Sequence, residues 1–285
     1  MPTYSGADGA ALHYDIGPPH GQAVIALAGG AARHPEYLDD LAGLGEQQWL
    51  VVPHLRGVGR SPLPDPVEVA SYWRMADDLE RLRVHLGLER VVLLGHSAGT
   101  RLALSYAAQF PDRLAGLVLI TPPAGILPGV QVDAEDLVQR RRGDPVFDAA
   151  VAAWSAGPEG TDDAAFTAWQ HLVAPMSYAR WGEAEQAHAA IGSYSFAANR
   201  AYFSVDPPAD LPARLAGVAA PVLVLAGADD CGPGRAPATA LARLFPAGEL
   251  AIIEECGHYP WVEQPAAFRR VADQFLGTRL TRSDG

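Results

Sequence analysis

The sequence predicts an α/β protein with a mostly parallel sheet, helices on both faces and an inserted helical segment. Between residues 12 and 121, short apolar runs typical of buried parallel strands alternate with stretches of helical spacing. This alternation stops at Thr121-Pro122-Pro123 and resumes at Pro221. We therefore predict a core made of residues 1–121 and 221–285, with residues 122–220 forming a helical lid.

The elements of the first core part follow from their apolar patterns. Strands are predicted at residues 12–15, 23–28, 49–53, 91–94 and 117–121. Helices are predicted at residues 35–46, 71–88 and 99–110, where apolar side chains recur at helical spacing. The second core part contributes two further apolar runs, at residues 221–226 and 249–254, which predict two more parallel strands.

The lid, residues 122–220, contains no run typical of a buried strand and is rich in Ala, Asp, Glu and aromatic residues. Most of its aromatic side chains should pack its helices together. Four of them are candidates for lining a substrate pocket: Trp154, Trp181, Tyr194 and Phe203.

The motif Gly95-His96-Ser97-Ala98-Gly99 lies between a predicted strand and a predicted helix. A serine at such a sharp strand-to-helix corner is held where a base can activate its hydroxyl, and glycines allow the corner to close. The motif therefore predicts a nucleophile elbow with Ser97 as nucleophile. We expect the neighbouring His96 to pack in the core and take no part in the chemistry.

An elbow of this kind requires an acid and then a histidine after later strands. The strand at residues 221–226 is followed by Asp229-Asp230, and the strand at residues 249–254 is followed by His258. The ends of parallel strands meet at one edge of a sheet, so these loops can converge on Ser97. The order predicts a triad of Ser97, His258 and one of the two aspartates.

At these residues the chain resembles the α/β-hydrolase superfamily, and within it the proline-iminopeptidase-like branch. Residues 27–32 stand where that branch has a His-Gly-Gly-Pro-Gly loop, residues 55–61 resemble its Arg-Gly-x-Gly-x-Ser segment, and residues 257–265 resemble its histidine loop. The resemblance implies Asp230 as the acid, three positions after Gly227, with Asp229 as the rival. It also implies that the backbone N–H groups of Gly30 and Ala98 form the oxyanion hole.

The chain departs from true proline iminopeptidases at three positions. Ala98 stands where they have Trp after the nucleophile, and Gly182 and Gly192 stand at the matched positions of the lid glutamates that hold the substrate's ammonium group. A buried ammonium without a carboxylate partner is costly. Glu183 or Glu185 could replace them after a one-turn shift.

We therefore predict a serine hydrolase that cleaves a small-molecule ester, thioester or amide through an acyl-enzyme. One alternative is an aminopeptidase of the proline iminopeptidase type. The others are a non-hydrolytic enzyme on the same scaffold, such as a lyase, cyclase or acyltransferase, and a ligand-binding protein. The sequence gives neither the substrate nor the oligomeric state.

Composition excludes several other classes. The net charge of −12 argues against nucleic acid or an anionic membrane as a partner. The chain has no lysine, which excludes Schiff-base and P-loop chemistry. We expect no metal and no cofactor, because the histidines and cysteines lack ligand spacing. With no export or membrane segment readable, we expect a cytoplasmic protein that acts on a small molecule.

Overall fold

An eight-stranded sheet runs through the part of the chain that the computed structural model describes, residues 1–278. The last residues of the predicted core range 221–285, namely 279–285, lie outside the described residues. The strands are β1 (Thr3–Ser5), β2 (Ala11–Ile16), β3 (Ala23–Leu27), β4 (Trp49–Pro53), β5 (Val91–His96), β6 (Leu114–Ile120), β7 (Val222–Gly227) and β8 (Gly248–Ile253).

The strand order is β1-β2-β4-β3-β5-β6-β7-β8. Strands β3 to β8 pair in parallel, and β2 pairs with β1 and β4 in antiparallel fashion. All seven predicted strands are present, whereas β1 was not predicted because three residues carry too little pattern. The loops that follow β3, β5, β7 and β8 start at one edge of the sheet.

Helices cover both faces of the sheet, as predicted. They are α1 (Ala76–His85), α2 (Gly99–Gln109), α3 (Glu135–Arg141), α4 (Pro145–Ala156), α5 (Asp163–Val173), α6 (Glu183–Ala189), α7 (Phe196–Tyr202), α8 (Leu211–Ala216), α9 (Ala236–Leu244), α10 (Pro260–Glu263) and α11 (Pro265–Thr278). Alternate side chains of β5 point to the two faces of the sheet. Leu93 packs in the hydrophobic cluster that contains buried residues of α1, α2 and α9, and Val92 and Leu94 pack in the cluster that contains buried residues of α11.

The helix predicted at residues 35–46 is wrong. The segment forms two short 3-10 turns, Pro35–Leu38 and Leu44–Glu46, and the residues between them include Asp39, Leu41 and Ala42 with positive φ. Left-handed backbone at three non-glycine positions cannot continue an α-helix. The apolar residues whose spacing predicted the helix are nevertheless buried against the sheet, because the loop itself packs there.

Residues 122–220, which we call the inserted segment, contain helices α3 to α8. The segment contacts several loops at the sheet edge, including the loop after β3 and the loop that carries His258. The backbone around Tyr194 pairs with that around Arg33 after β3, and Ser177 O accepts a hydrogen bond from His258 N at 2.7 Å. Its last helix, α8, instead packs on α2 and α9 of the core. The division of the chain into core and lid stays a prediction.

Candidate active site

Ser97 occupies a sharp corner between β5 and α2. Its φ is +51°, a left-handed conformation that costs free energy in a non-glycine residue and that marks functional sites. A Cβ on Gly99 would lie 2.4 Å from Leu27 O, so only glycine lets α2 start this close to β3. The close packing at Gly99 and the hydrogen bond from Ser97 N to Ile120 O at 2.8 Å therefore impose the strained turn that holds Ser97 at the edge of the sheet.

Asp230 and His258 are hydrogen-bonded to each other after β7 and β8. Nδ1 of His258 lies 2.6 Å from Oδ2 of Asp230, whose side chain is buried. Oδ1 of Asp230 accepts the N–H of Gly232 at 3.0 Å. A carboxylate accepts only, so Nδ1 of the imidazole carries a proton and Nε2 can act as a base. The side chain of the rival acid, Asp229, makes no hydrogen bond to the imidazole in the described residues.

The loop that carries His258 is fixed beside the elbow. The carbonyl oxygen of His258 accepts hydrogen bonds from Nε2 of His96 at 3.0 Å and from Oγ1 of Thr121 at 3.1 Å. The His96 and His258 rings pack edge to face, with their centroids 5.0 Å apart. Among residues 1–278, no hydrogen bond joins the Ser97 hydroxyl to the imidazole, and such catalytic hydrogen bonds are often long before substrate binds.

The backbone N–H groups of Gly30 and Ala98, the predicted oxyanion donors, follow β3 and Ser97. Gly30 has φ of +66°, and the ring of Tyr194 lies against it, 2.9 Å from where a Cβ would stand. The preceding amide, Gly29 N–H, is already bonded to the Tyr37 hydroxyl at 2.6 Å. In the described part of the chain, the amides of Gly30 and Ala98 have no intramolecular acceptor.

His96 is buried, as expected, but both of its ring nitrogens also make hydrogen bonds. Nδ1 lies 2.8 Å from the Tyr37 hydroxyl, in addition to the contact of Nε2 with His258 O. Burial lowers the pKa of His96 well below its usual value, and the nearby His258 lowers it further. Sequence reasoning treated His96 as a packing residue because a motif does not show which groups its ring will meet.

Glu263 links the base loop to the inserted segment. Its carboxyl oxygens accept the N–H of Ala179 at 2.7 Å and of Gly257 at 2.8 Å. Burial raises the pKa of Glu263 to about 7. Glu263 belongs to the histidine-loop motif, but the motif by itself indicates no role for its side chain.

Arg33 is a buried cation beside the glycine loop that sequence reasoning missed. Its guanidinium donates to the carbonyls of His188, Ala189 and Ile191 and to the Tyr259 hydroxyl. The Cζ atom of this guanidinium lies 4.2 Å from the centre of the Tyr37 ring, which is a cation–π contact. No carboxylate is paired with it in the described residues, so it places a net positive charge next to the site.

The four predicted pocket aromatics have different surroundings. Tyr194 is buried against Gly30 and lines a cavity of about 640 Å³ between α5 and the loops after β3 and β4. Trp154 is 58% exposed and stacks on Trp169, and Phe203 is 48% exposed beside Tyr72 and Tyr202. Trp181 packs on Tyr178.

Ser97, Asp230 and His258 do not line this cavity, so the assignment of the four aromatic residues to a substrate pocket stays a prediction. Besides Tyr194, its walls carry mainly small and polar side chains, and Trp154, Trp181 and Phe203 do not line it. The polar side chains on its walls are Asp163, Thr167, His171, His34, Ser193 and Ser195.

Three further observations bear on other kinds of site. Among residues 1–278, no group of three or more His, Cys, Asp or Glu side chains is placed to hold a metal ion. Within the same residues no helix is both long and apolar enough to cross a membrane. Cys231 and Cys256 are buried free thiols.

A family model described as "alpha/beta hydrolase fold" matches residues 24–265, which is more than half of the chain. Two relatives match nearly the whole chain. A Bacillus subtilis (strain 168) protein, provisionally named 2-succinyl-6-hydroxy-2,4-cyclohexadiene-1-carboxylate synthase, is 26% identical over 92% of this chain and 93% of its own. A Caulobacter sp. (strain K31) protein, provisionally named carbamate hydrolase RutD, is 29% identical over 90% of each.

Solved structures share the fold. An esterase from Thermogutta terrifontis superposes with a TM-score of 0.69 and 23% identity, covering 96% of this chain and 97% of that one. A proline iminopeptidase from Mycobacterium smegmatis superposes with a TM-score of 0.72 and 20% identity, covering 99% of both chains. At these identities the likeness concerns the fold and leaves the substrate open.

Proposed function

The chain belongs to the α/β hydrolase fold family as an enzyme of the hydrolase class, and we propose that it cleaves a small-molecule ester, thioester or amide by serine catalysis. The observation that carries this proposal is the 2.6 Å hydrogen bond between His258 and Asp230, held beside the strained turn at Ser97. A nucleophile, a base and an orienting acid at one sheet edge are the parts that acyl transfer requires.

In the proposed reaction, the Ser97 oxygen bonds to the substrate's carbonyl carbon while its proton passes to Nε2 of His258. Asp230 stabilises the imidazolium that forms. The carbonyl oxygen becomes an oxyanion that accepts the N–H groups of Gly30 and Ala98, each typically worth about 3 to 4 kcal/mol in the transition state. The bond to the leaving group then breaks, and the imidazolium protonates that group. Water repeats the sequence, releasing the acid and restoring Ser97.

We assign the inserted segment, residues 122–220, the role of a lid over this edge. Tyr202 donates to Ala98 O at 2.7 Å, Asn199 donates to Ala31 O at 2.9 Å, and Ser177 holds the base loop. These contacts support a cover that touches the elbow, the glycine loop and the base loop together. Of the four lid aromatics, Tyr194 is the one we propose to contact substrate, because it adjoins Gly30.

The surroundings of the site disfavour a substrate with a free amine. Glu183 is exposed, and Glu185 accepts the N–H of Gly182 at the start of α6. Glu183 therefore faces solvent, and the Glu185 carboxylate is engaged at the start of α6, so neither is placed to hold an ammonium group in a buried site. The positive charge of Arg33, buried beside the glycine loop, would repel one. These observations support a neutral or anionic acyl donor in place of an aminopeptidase substrate.

A non-hydrolytic reaction is the second candidate, because the Bacillus relative is named as a synthase. In that case the His258–Asp230 pair would act as a base without an acyl-enzyme. A cytoplasmic location and the absence of nucleic acid partners stay predictions from composition.

The test of serine catalysis is the Ser97→Ala variant. We expect it to fold, to lose fluorophosphonate labelling, and to hydrolyse p-nitrophenyl acetate at least about 1,000-fold more slowly than the wild type. Ser105→Ala is the matched control, since Ser105 is a buried serine of α2 whose hydroxyl donates within the helix to Arg101 O. Labelling that persists in Ser97→Ala would refute the proposal. Mass spectrometry of the acetylated wild type then separates an acyl-enzyme from base-only chemistry.

A further inference from the structure

Tyr37 lies between the glycine loop and the nucleophile elbow. Its hydroxyl is 2.6 Å from Gly29 N and 2.8 Å from Nδ1 of His96, and its side chain is fully buried. His96 in turn contacts the carbonyl oxygen of His258 through Nε2 at 3.0 Å. Three short contacts therefore join the glycine loop to the backbone of the proposed base.

The direction of each hydrogen bond follows from what each atom can do. The His258 carbonyl can only accept, so Nε2 of His96 carries a proton and donates it. In the neutral ring Nδ1 then accepts, and the Tyr37 hydroxyl donates to it. The Tyr37 oxygen accepts the N–H of Gly29. Burial, together with His258 and Arg33, lowers the pKa of His96, which keeps its ring neutral.

The same chain of bonds continues into the inserted segment. Nε2 of His188 lies 2.9 Å from the backbone carbonyl of Tyr37, and Nδ1 of His188 lies 2.7 Å from the Tyr178 hydroxyl. By the same reasoning His188 donates to Tyr37 O and accepts from Tyr178. Burial lowers the pKa of His188 to about 4, so this ring is also neutral near pH 7.

We propose that Tyr37, His96 and His188 are positioning residues of one relay that meets at Tyr37. His188 ties the inserted segment to the Tyr37 backbone, and the Tyr37 hydroxyl joins Gly29 of the glycine loop to His96, which holds the carbonyl of His258. The inference rests on the proposed function, because it assigns the relay the task of setting the oxyanion donors against the base. Gly29 precedes the proposed donor Gly30, and the carbonyl that His96 holds belongs to the base itself. An error of about 1 Å between such groups can cost about 100-fold in rate.

The test compares variants that remove or keep the relay bonds. Tyr37→Phe deletes the central hydroxyl and leaves the ring. His96→Phe removes both ring nitrogens, whereas His96→Gln keeps one acceptor and one donor at a similar spacing. Tyr106→Phe is the matched control, because Tyr106 is an equally buried tyrosine whose hydroxyl donates to Glu80 on α1. The readouts are kcat and KM for p-nitrophenyl acetate, the rate constant of fluorophosphonate labelling, and thermal stability.

We expect Tyr37→Phe and His96→Phe to lower kcat and the labelling rate by about 10- to 100-fold, with KM within about threefold of wild type. His96→Gln should recover at least a third of the loss in log kcat that His96→Phe shows. The kcat and labelling rate of Tyr106→Phe should stay within about twofold of the wild type. A folded Tyr37→Phe that labels within twofold of the wild type, or that changes KM alone, would overturn the relay.

A measurement on the unmodified protein keeps the inference testable if a variant does not fold. Nitrogen-15 spectra of the wild type should show His96 as the neutral Nε2–H tautomer from about pH 5 to 8. A ring that carries its proton on Nδ1, or that titrates in this range, would overturn the inference. Failure of the proposed function has a different signature, namely labelling of Ser97→Ala.

Discussion

Replacing Asp230 by Asn tests the proposed acid with a change of one side-chain atom. The Gly232 N–H needs an acceptor at Oδ1, so the Asn carbonyl oxygen takes that place and the amide NH₂ faces Nδ1 of His258. Two donors cannot pair, and Nδ1 must give up its proton and become the acceptor. The imidazole then carries its proton on Nε2 and cannot take one from Ser97.

The size of the effect follows from charge and tautomer together. A carboxylate and an imidazolium about 4 Å apart attract by about 4 kcal/mol at an effective dielectric constant of 20. Losing that attraction in the transition state slows the reaction by about 10³-fold. The wrong tautomer adds to this, and the matching substitution in chymotrypsin-type proteases lowers kcat by about 10⁴-fold. We therefore expect kcat to fall by about 10³- to 10⁴-fold.

The assay is steady-state hydrolysis of p-nitrophenyl acetate, with thermal unfolding as a check that Asp230→Asn is folded. Asp229→Asn is the matched control, because it makes the same chemical change one residue earlier, at a side chain that has no hydrogen bond to the imidazole among residues 1–278. It should change kcat by less than about threefold. A loss below about tenfold in Asp230→Asn would refute this reasoning, and a larger loss in Asp229→Asn would make Asp229 the acid.

Two predictions concern stability and substrate. The folded state lowers the pKa of His188 to about 4 from an ordinary 6.5, so the stability that its neutral ring contributes is complete above pH 6.5 and is lost as the pH falls towards 4. The unfolding free energy of the wild type, measured with urea relative to the non-titrating His188→Gln variant, should therefore drop by about 3 kcal/mol over that range. A difference between the two proteins that stays constant with pH would contradict the pKa shift. Because Glu185 caps α6 and Arg33 adds positive charge, we expect kcat/KM for small acyl esters to exceed that for prolyl or alanyl arylamides. Acylating the amine of an arylamide substrate should not reduce its turnover. A strong preference for the free amine would instead support the aminopeptidase alternative.

The predictions that agree with the structure rest on local pattern. Short apolar runs predicted seven of the eight strands. The signal is strongest for β3, β5 and β7, because a strand buried on both faces is apolar at nearly every position. The glycines of the elbow mark a place where backbone segments approach too closely for a Cβ. The order of Ser97, Asp230 and His258 along the chain placed them at one edge, since parallel strands present their ends together.

The wrong helix at residues 35–46 shows where such patterns fail. Tyr37, Leu38, Leu41 and Leu44 have helical spacing, but spacing reports only which side chains are buried. The backbone instead takes left-handed φ angles at three positions to fit beneath the sheet edge. Packing against distant strands and helices decided that conformation, and no local propensity could reveal it.

The sequence alone determined strands β2 to β8, the elbow and the order in which the three proposed catalytic residues follow their strands, because each depends on residues next to one another in the chain. The residues alone left Asp229 and Asp230 open, and the family resemblance implied Asp230. Only the tertiary structure decided that the Asp230 carboxylate bonds to the imidazole, and that Tyr37, His96 and His188 connect the inserted segment to His258. These are hydrogen bonds between segments 28 to 162 positions apart. They require atoms placed within a few tenths of an ångström, which depends on how the whole core packs.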